Sequence, residues 1–325
     1  VTIPHPDTDR EGWLAWRKTV ITGTDASAIL KVNPWRSEWD VWVEKTQDPP
    51  PWEGNAATRT GQRLERAVLE WMTETLDASY AQYAIGAGVH PDHEWLGGTP
   101  DGVATFVSPG PHKESQGLEA KTARYPDPEV WGTRDDPRLP MYYEIQCRVY
   151  MAITDLDVWH LGVFFKHTDE WRLYTIERDE RIEQSLIEQL KVWRDRHVIE
   201  GIPPKADASK AATNYLSERY AQPRETLREA TSREARVISE YQRGKNLSTQ
   251  YEKEAKRLGN LLKQQIGDDS GIESDTHILK WSRWDRKRID WRAVEEEHPE
   301  ISESIARNTT TSPTGRLYIN EKRGK

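Results

Sequence analysis

An α/β fold, a β-sheet flanked by helices, is predicted for residues 1–204 of this 325-residue chain. Three observations predict it. Residues 61–76 carry Leu64, Val68, Leu69 and Met72 at helical spacing, which makes one apolar stripe. Strand-like segments recur at 82–90, 102–107, 117–122, 157–166 and 171–177. A helical stretch at 139–153 separates the third strand from the fourth, the alternation expected when strands are joined across a sheet face.

The elements follow in order. Residues 26–30 and 39–45 read as short helices around the turn Asn33-Pro34-Trp35. In the helix at 61–76, Glu65 lies beside the apolar stripe, close enough to look inward. Pro140 falls in the first turn of the helix at 139–153, where its missing N–H costs nothing. Val163-Phe164-Phe165 and Arg172-Leu173-Tyr174 flank the turn His167-Thr168-Asp169-Glu170, a hairpin. Residues 178–200 form a long amphipathic helix with Ile182, Leu186, Leu190 and Trp193 on one face. Gly201-Ile202-Pro203-Pro204 is the clearest punctuation, so the first domain is drawn as 1–204 and a C-terminal extension as 205–325. In the extension, 233–266 is a highly charged helix with a thin apolar line, Tyr251, Ala255, Leu258 and Leu262. Residues 272–284 read as a hairpin and 290–307 as a short helix.

Composition narrows the function. There are 46 basic and 54 acidic side chains, a net of −8, which argues against coating nucleic acid by bulk positive charge. It leaves room for a nucleic-acid enzyme whose site is itself built from carboxylates. The charge is uneven: residues 1–200 hold 22 basic and 34 acidic side chains, and 201–325 hold 24 and 20. Cys147 is the single cysteine, which excludes a disulfide framework, a cysteine zinc site or an iron–sulfur cluster within one chain. No apolar run approaches the roughly 18 residues of a membrane span. Val1-Thr2-Ile3-Pro4-His5-Pro6 has neither the basic nor the apolar region of a secretory signal, so a cytoplasmic protein is expected.

The chemistry concentrates between residues 97 and 121. Pro100-Asp101 opens one strand and Glu119-Ala120-Lys121 lies in the next. Alternate residues of a strand share a face, so Glu119 and Lys121 point the same way, and a hairpin brings Asp101 beside them. Two carboxylates and an ammonium make a site for a hard cation with a charge handler next to it. The same three residues on any hairpin can be solvated surface charge, but other residues join them. Glu65 lies upstream, and Gln146 and Tyr150 share a face of the helix after Pro140.

The ordered set Glu65, Asp101, Glu119-x-Lys121, Gln146-x-x-x-Tyr150 resembles the lambda-exonuclease-like branch of the PD-(D/E)xK nuclease superfamily, including the YqaJ-type viral recombinase nucleases. Further matches are Trp16-Arg17, Ile21-Thr22-Gly23-Thr24-Asp25-Ala26-Ser27-Ala28-Ile29-Leu30, Asn33-Pro34-Trp35, Trp42-Val43-Glu44-Lys45-Thr46, Gly61-Gln62-Arg63-Leu64-Glu65 and Gly98-Thr99-Pro100-Asp101-Gly102. Leu118-Glu119-Ala120-Lys121-Thr122 and Pro140-Met141-Tyr142-Tyr143-Glu144-Ile145-Gln146 complete them. Thr24 and Thr99 stand where this branch commonly has Ser, and both keep a hydroxyl.

The resemblance implies a restriction-endonuclease-like core, a central mixed β-sheet flanked by helices, followed by a helical and small β C-terminal region. It implies Mg²⁺, replaceable by Mn²⁺, with two ions per site held by Asp101, Glu119, the Ala120 carbonyl and Glu65. It gives Lys121 to the attacking water or the phosphate and Gln146 to holding Lys121 in place. It assigns Arg17, Thr24, Thr99 and Tyr150 to DNA or 5′-phosphate contacts. The implied activity is 5′-to-3′ exonuclease action on double-stranded DNA ends, leaving 3′ overhangs for recombination. A homo-oligomeric ring, a single-strand annealing protein as partner and a host cytoplasm, if phage-encoded, come with it. A related endonuclease, a RecB-like exonuclease of other polarity and an inactive end-binding protein are the alternatives.

Some assignments stay open on the residues alone. A salt bridge accounts for Arg17 and a helix N-cap for Thr24 as readily as a phosphate does. His90 and His93 read as structural rather than as a zinc site. The loop 123–139 reads equally as a lid or as a surface excursion. Lys280-Trp281-Ser282-Arg283-Trp284-Asp285-Arg286-Lys287-Arg288 suits DNA backbone contacts with stacking, or a solvated hairpin.

Overall fold

A computed structural model describes residues 3–4, 8–47, 54–107, 113–222, 226–275, 277–283 and 290–308. The chain divides into two compact units, Val1–Tyr215 and Leu216–Lys325. In the first, α1 (Arg10–Thr19), α2 (Gly23–Ile29), α3 (Glu38–Thr46) and α4 (Ala56–Thr75) precede most of the sheet. Strands β1 (Tyr80–Tyr83), β2 (Gly88–Val89), β3 (Gly97–Gly98), β4 (Gly102–Val107) and β5 (Lys113–Ala123) follow. Then come α5 (Pro128–Trp131), α6 (Met141–Thr154), β6 (Val158–Phe165), β7 (Glu170–Glu177) and α7 (Glu180–Arg194), which runs into a π-helical turn at Asp195–Ile199.

The main sheet has the order β1-β4-β5-β6-β7. Only β5 and β6 pair in parallel, so the sheet is mixed, and α6 is the crossover between them. Period-two alternation sends the two faces of β5 and β6 to different partners. Leu118 and Ala120 join Val68, Leu69 and Met72 of α4 in one buried cluster. Trp159, Leu161, Val163 and Phe165 join α2, α3, α6 and α7 in the other. Glu119 and Lys121 therefore face the side that α6 covers. Gly117, on the same face, lies against Trp159: a Cβ there would stand 2.1 Å from the indole carbon Cε3.

The expected strand at 82–90 is two strands in different sheets. β1 pairs with β4, and β2 pairs with β3. Between them Ala84 and Gly86 take φ of 52° and 88°, which turns the chain out of the ladder. Helices α1 and α5 were not anticipated. Trp131 of α5 is buried, so the loop after β5 is anchored in the core and not a free surface excursion. The first unit also runs past the boundary drawn at 204. The Trp39 indole donates to the Lys205 carbonyl at 2.7 Å, Ala212 is buried, and the Tyr215 ring lies 4.8 Å from that of Trp42. Aromatic packing, not the Pro-Pro punctuation, sets the limit.

α8 (Lys210–Arg219) carries the chain across that limit. In the second unit α9 (Ser232–Ile266) starts at a capping box made by Thr231 and Glu234. β8 (Gly271–Glu273) and β9 (Ile278–Lys280) form the expected hairpin, and α10 (Trp291–Glu297) and α11 (Ser302–Asn308) follow. Residues 284–289 of the basic-aromatic run lie outside the described residues; the Arg283 guanidinium lies 4.0 Å from the Trp281 ring centre. No helix among the described residues is long and apolar enough to cross a membrane.

His160 of β6 is buried between Thr175, 3.0 Å from Nδ1, and Gln116, 2.6 Å from Nε2. Burial lowers its pKa to about 4. The unfolded chain binds that proton near the ordinary value of 6.5, so this contribution is complete above pH 6.5 and lost as pH falls toward 4. The loss is on the order of 2 kcal/mol. Urea midpoints of the wild type should drop more between pH 7 and pH 4.5 than those of His160→Gln, which keeps a donor toward Gln116. A second expectation concerns Gly117→Ala, which should cost about 1–3 kcal/mol in the same titration because the Trp159 ring has no room to retreat.

Candidate active site

The β4–β5 register sets Gly102 opposite Leu118, so Asp101, one residue earlier, is level with Glu119. Asp101 Oδ2 accepts the Ala120 N–H at 2.8 Å. In a strand the N–H and C=O of one residue lie toward the same neighbour, so the Ala120 carbonyl is on the Asp101 side, beyond the last β4 pair.

Glu119 is 1% exposed. Its Oε1 is ion-paired with Lys121 Nζ and accepts Gln146 Nε2 at 2.6 Å. Its Oε2 is buried and receives no donor, while the Asp101 carboxyl lies within hydrogen-bonding reach of the Glu119 carboxyl. Burial, then the Asp101 charge, pushes the Glu119 pKa up to about 8 against the pull of Lys121. Burial likewise raises Asp101, with Lys121 and the Ala120 N–H opposing it. Burial works to lower Lys121, but Glu119 and Asp101 outweigh it and hold the ammonium above the ordinary lysine range. Two carboxylates therefore share one ammonium in a place water does not neutralise. An orphaned carboxylate oxygen, a second carboxylate and a carbonyl are hard oxygen donors, and they fit a divalent cation such as Mg²⁺.

Gln146 sits on α6, where Gly23 of α2 lies against it. A Cβ at position 23 would stand 2.9 Å from Gln146 Cγ. Gln146 Nε2 also donates to the Tyr150 hydroxyl at 3.0 Å. Tyr150 is buried against Gly98 and Trp159, so it stands behind Gln146 and not at the DNA-facing wall expected for it.

A cleft of about 460 Å³ opens over the carboxyl end of β5. Thr24, Ser27, Asn33 and Trp35 form one wall, Thr58, Gly61 and Glu65 another, and Lys121, Tyr142, Tyr143 and Gln146 the floor and far side. Glu65 is thus a cleft residue on an exposed part of α4. Among the described residues no group of three or more His, Cys, Asp or Glu stands at metal-binding spacing. Glu65 therefore does not join Asp101 and Glu119 in one ready cluster, and the His90 and His93 rings lie 4.7 Å apart.

Thr24 lines the cleft from the second turn position of α2. The N-cap is Thr22, in a reciprocal box with Asp25, so capping does not account for Thr24. Thr99 is elsewhere: its hydroxyl accepts the Trp13 indole N–H at 3.1 Å and ties α1 to the loop before Asp101. The Arg17 guanidinium lies 4.9 Å from the Trp13 ring centre, and its charge helps lower the pKa of Asp25.

Residues 12–157 match the family model of the YqaJ-like viral recombinase domain. Uncharacterized protein YqaJ of Bacillus subtilis (strain 168) is 24% identical over 315 residues, 95% of this chain and 94% of that one, so the similarity extends through the second unit. Among solved structures, an alkaline exonuclease (LHK-Exo) from Laribacter hongkongensis is 18% identical with a TM-score of 0.46, covering 58% of this chain and 93% of that one. A phage-related exonuclease from Haemophilus somnus 129PT is 14% identical with a TM-score of 0.38, covering 56% and 96%.

Sequence reasoning gave no role to a second buried charge cluster of the first unit. Asp25, fully buried, is ion-paired with Arg36 Nη1 at 2.7 Å and Lys45 Nζ at 2.8 Å, and accepts the Thr22 N–H at 3.0 Å. Lys45 also donates to the Arg17 carbonyl at 2.7 Å, and Arg36 pairs with Glu44. Burial opposes ionisation of Asp25, but Lys45, Arg36 and Arg17 hold its pKa far below the ordinary carboxylate range. The pattern Thr22-x-x-Asp25 before an apolar run was the available signal. Asp25→Asn would leave the buried Lys45 and Arg36 with only the partly exposed Glu44 as counter-charge, at a cost of about 3–5 kcal/mol. Denaturant unfolding of the purified variant should show that loss; a change within 0.5 kcal/mol, roughly that of a surface substitution, would contradict it.

Proposed function

We propose that the chain is a Mg²⁺-dependent 5′-to-3′ exonuclease that acts on double-stranded DNA ends and leaves 3′ overhangs for recombination. The observation that carries this reading is the buried Glu119 Oε2, which no donor satisfies, with Asp101 beside it and a cleft lined by the adjoining Ala120 and Lys121. The match to a viral recombinase domain supports recombination as the setting.

Asp101, Glu119 and the Ala120 carbonyl would hold Mg²⁺, with Glu65 reaching from the opposite wall through water and a second ion sharing the site. Mn²⁺, also a hard cation that takes oxygen ligands, would substitute. The metal supplies charge neutralisation at the scissile phosphate and a more acidic water. Lys121, kept cationic by its two acidic neighbours, donates to the attacking water or to a phosphate oxygen. Gln146 fixes the Glu119 carboxylate through its 2.6 Å bond, and Tyr150 fixes Gln146. The Thr24 hydroxyl in the cleft wall and the Arg17 guanidinium would receive the 5′-terminal phosphate, which a guanidinium suits by geometry and charge. A homo-oligomeric ring around the duplex and a single-strand annealing protein that takes up the 3′ strand complete the proposal; both rest on the resemblance in sequence.

The test is an end-labelled linear duplex incubated with Mg²⁺. We expect 5′-mononucleotides, with closed circular duplex left intact. Asp101→Ala and Lys121→Ala should each slow release at least about a hundredfold with circular dichroism unchanged. Arg17→Ala should narrow the gap between 5′-phosphate and 5′-hydroxyl ends. Cutting of closed circles would replace the exonuclease reading with an endonuclease one, and full activity in either alanine variant would move the site elsewhere.

A further inference from the structure

The cleft carries an aromatic feature that neither the metal site nor the phosphate contacts use. Trp35 is 71% exposed, whereas Trp39, Trp42, Trp131, Trp159 and Trp193 are all buried. An indole left in water on a flexible loop would need no explanation, but this loop is fixed. Asn33 Oδ1 accepts the backbone N–H of Trp35 at 2.9 Å and of Arg36 at 3.1 Å. Asn33 Nδ2 donates to Ser27 Oγ at 3.0 Å, and the N–H groups of Val32 and Asn33 both reach the Ser27 carbonyl at 3.1 Å. The side chain is braced as well. The Tyr142 ring stands 5.0 Å from it at 78°, and Tyr143 lies 4.5 Å from Tyr142. Lys121 Nζ lies 5.4 Å from the Tyr143 ring centre. A row of aromatic rings thus leads from an open indole to the ammonium beside Glu119.

We propose that Trp35, held by Asn33 and braced by Tyr142, is the stacking platform for the base of the terminal nucleotide whose phosphate is brought to Asp101, Glu119 and Lys121. The proposal rests on the nuclease reading and adds where the base goes. A base has to leave the duplex stack for its phosphate to enter a cleft of this size, and an exposed ring at the mouth replaces the lost stacking partner. Every base has a π face, so such a platform passes all four bases with little preference, as degradation of arbitrary sequence requires. Side chains that hydrogen-bond base edges would discriminate among bases; stacking on an indole face does not, and Asn33 and Ser27 on this wall are engaged with each other and the loop backbone.

The experiment compares two duplexes, one with a normal 5′-terminal nucleotide and one with an abasic residue there, under single-turnover conditions with Mg²⁺. Wild type should cleave the abasic end roughly tenfold more slowly, the size of one lost base stack. Trp35→Ala should be slow on both and should not distinguish them. Trp35→Phe should recover most of the discrimination, which a merely structural role for the indole would not predict. Equal rates on the two ends in wild type, or undiminished discrimination in Trp35→Ala, would overturn the proposal. Binding of the same duplexes, followed by fluorescence anisotropy with Ca²⁺ in place of Mg²⁺, repeats the comparison without turnover. A protein that binds normal ends better than abasic ends through Trp35, yet cuts neither, would refute the nuclease reading and uphold the platform.

Discussion

Glu119 is a carboxylate buried in the middle strand of the sheet with one oxygen satisfied and the other not. Burial of an isolated charge is costly, and a chain keeps one only where neighbours hold it in place. Much of the first unit serves that end. Asp101 is level with Glu119 because β4 and β5 are an antiparallel pair in the right register. Lys121 meets it because the strand period is two. Gln146 reaches it because α6 crosses directly above, and α6 comes that close because Gly23, Gly98 and Gly117 leave room for Gln146, Tyr150 and Trp159. A methyl group at any of the three would lift a part of that layer.

The same unit holds a second buried carboxylate under opposite conditions. Asp25 has two cations and a backbone N–H, and its pKa is driven down. Glu119 has one cation and a competing carboxylate, and its pKa is driven up. In the first arrangement each carboxylate oxygen meets a cation, and its work is to join α2, α3 and the loop at Arg36. The second is short of positive charge, which is why a cation fits there and not at Asp25.

Much of this was legible in the sequence because it depends on short-range rules. Strand alternation alone put Glu119 and Lys121 on one face, and helical spacing put Gln146 above Tyr150. The hairpin of β6 and β7 followed from its turn. What was not legible depends on long-range packing or on backbone states that no residue type announces. Ala84 at positive φ splits one expected strand into two. Tyr150 and Thr99 carry polar groups suited to DNA, yet Gln146, one helical turn away, and Trp13, 86 residues away, engage them inside the protein. Glu65 lines the cleft from an exposed part of α4, and the sequence did not show how far it would stand from the other carboxylates. Trp35 was visible as part of a turn, and only the folded chain shows that it stands open beside Lys121.

The parallel pairing of β5 with β6 has a consequence for how the site comes into being. Asp101 and Glu119 belong to one local hairpin, whose closure needs only a short loop. Gln146 arrives with the crossover helix, and the strand that finishes burying Glu119 pairs only after that helix has been passed, as Gly117 against Trp159 and Lys121 against Val163. Non-local parallel pairing is the slow step in such topologies. The β4–β5 hairpin by itself does not bury the acidic pair; α6 and β6 do. The electrostatics of the site are therefore a property of the closed sheet and not of the Asp101–Glu119 hairpin alone.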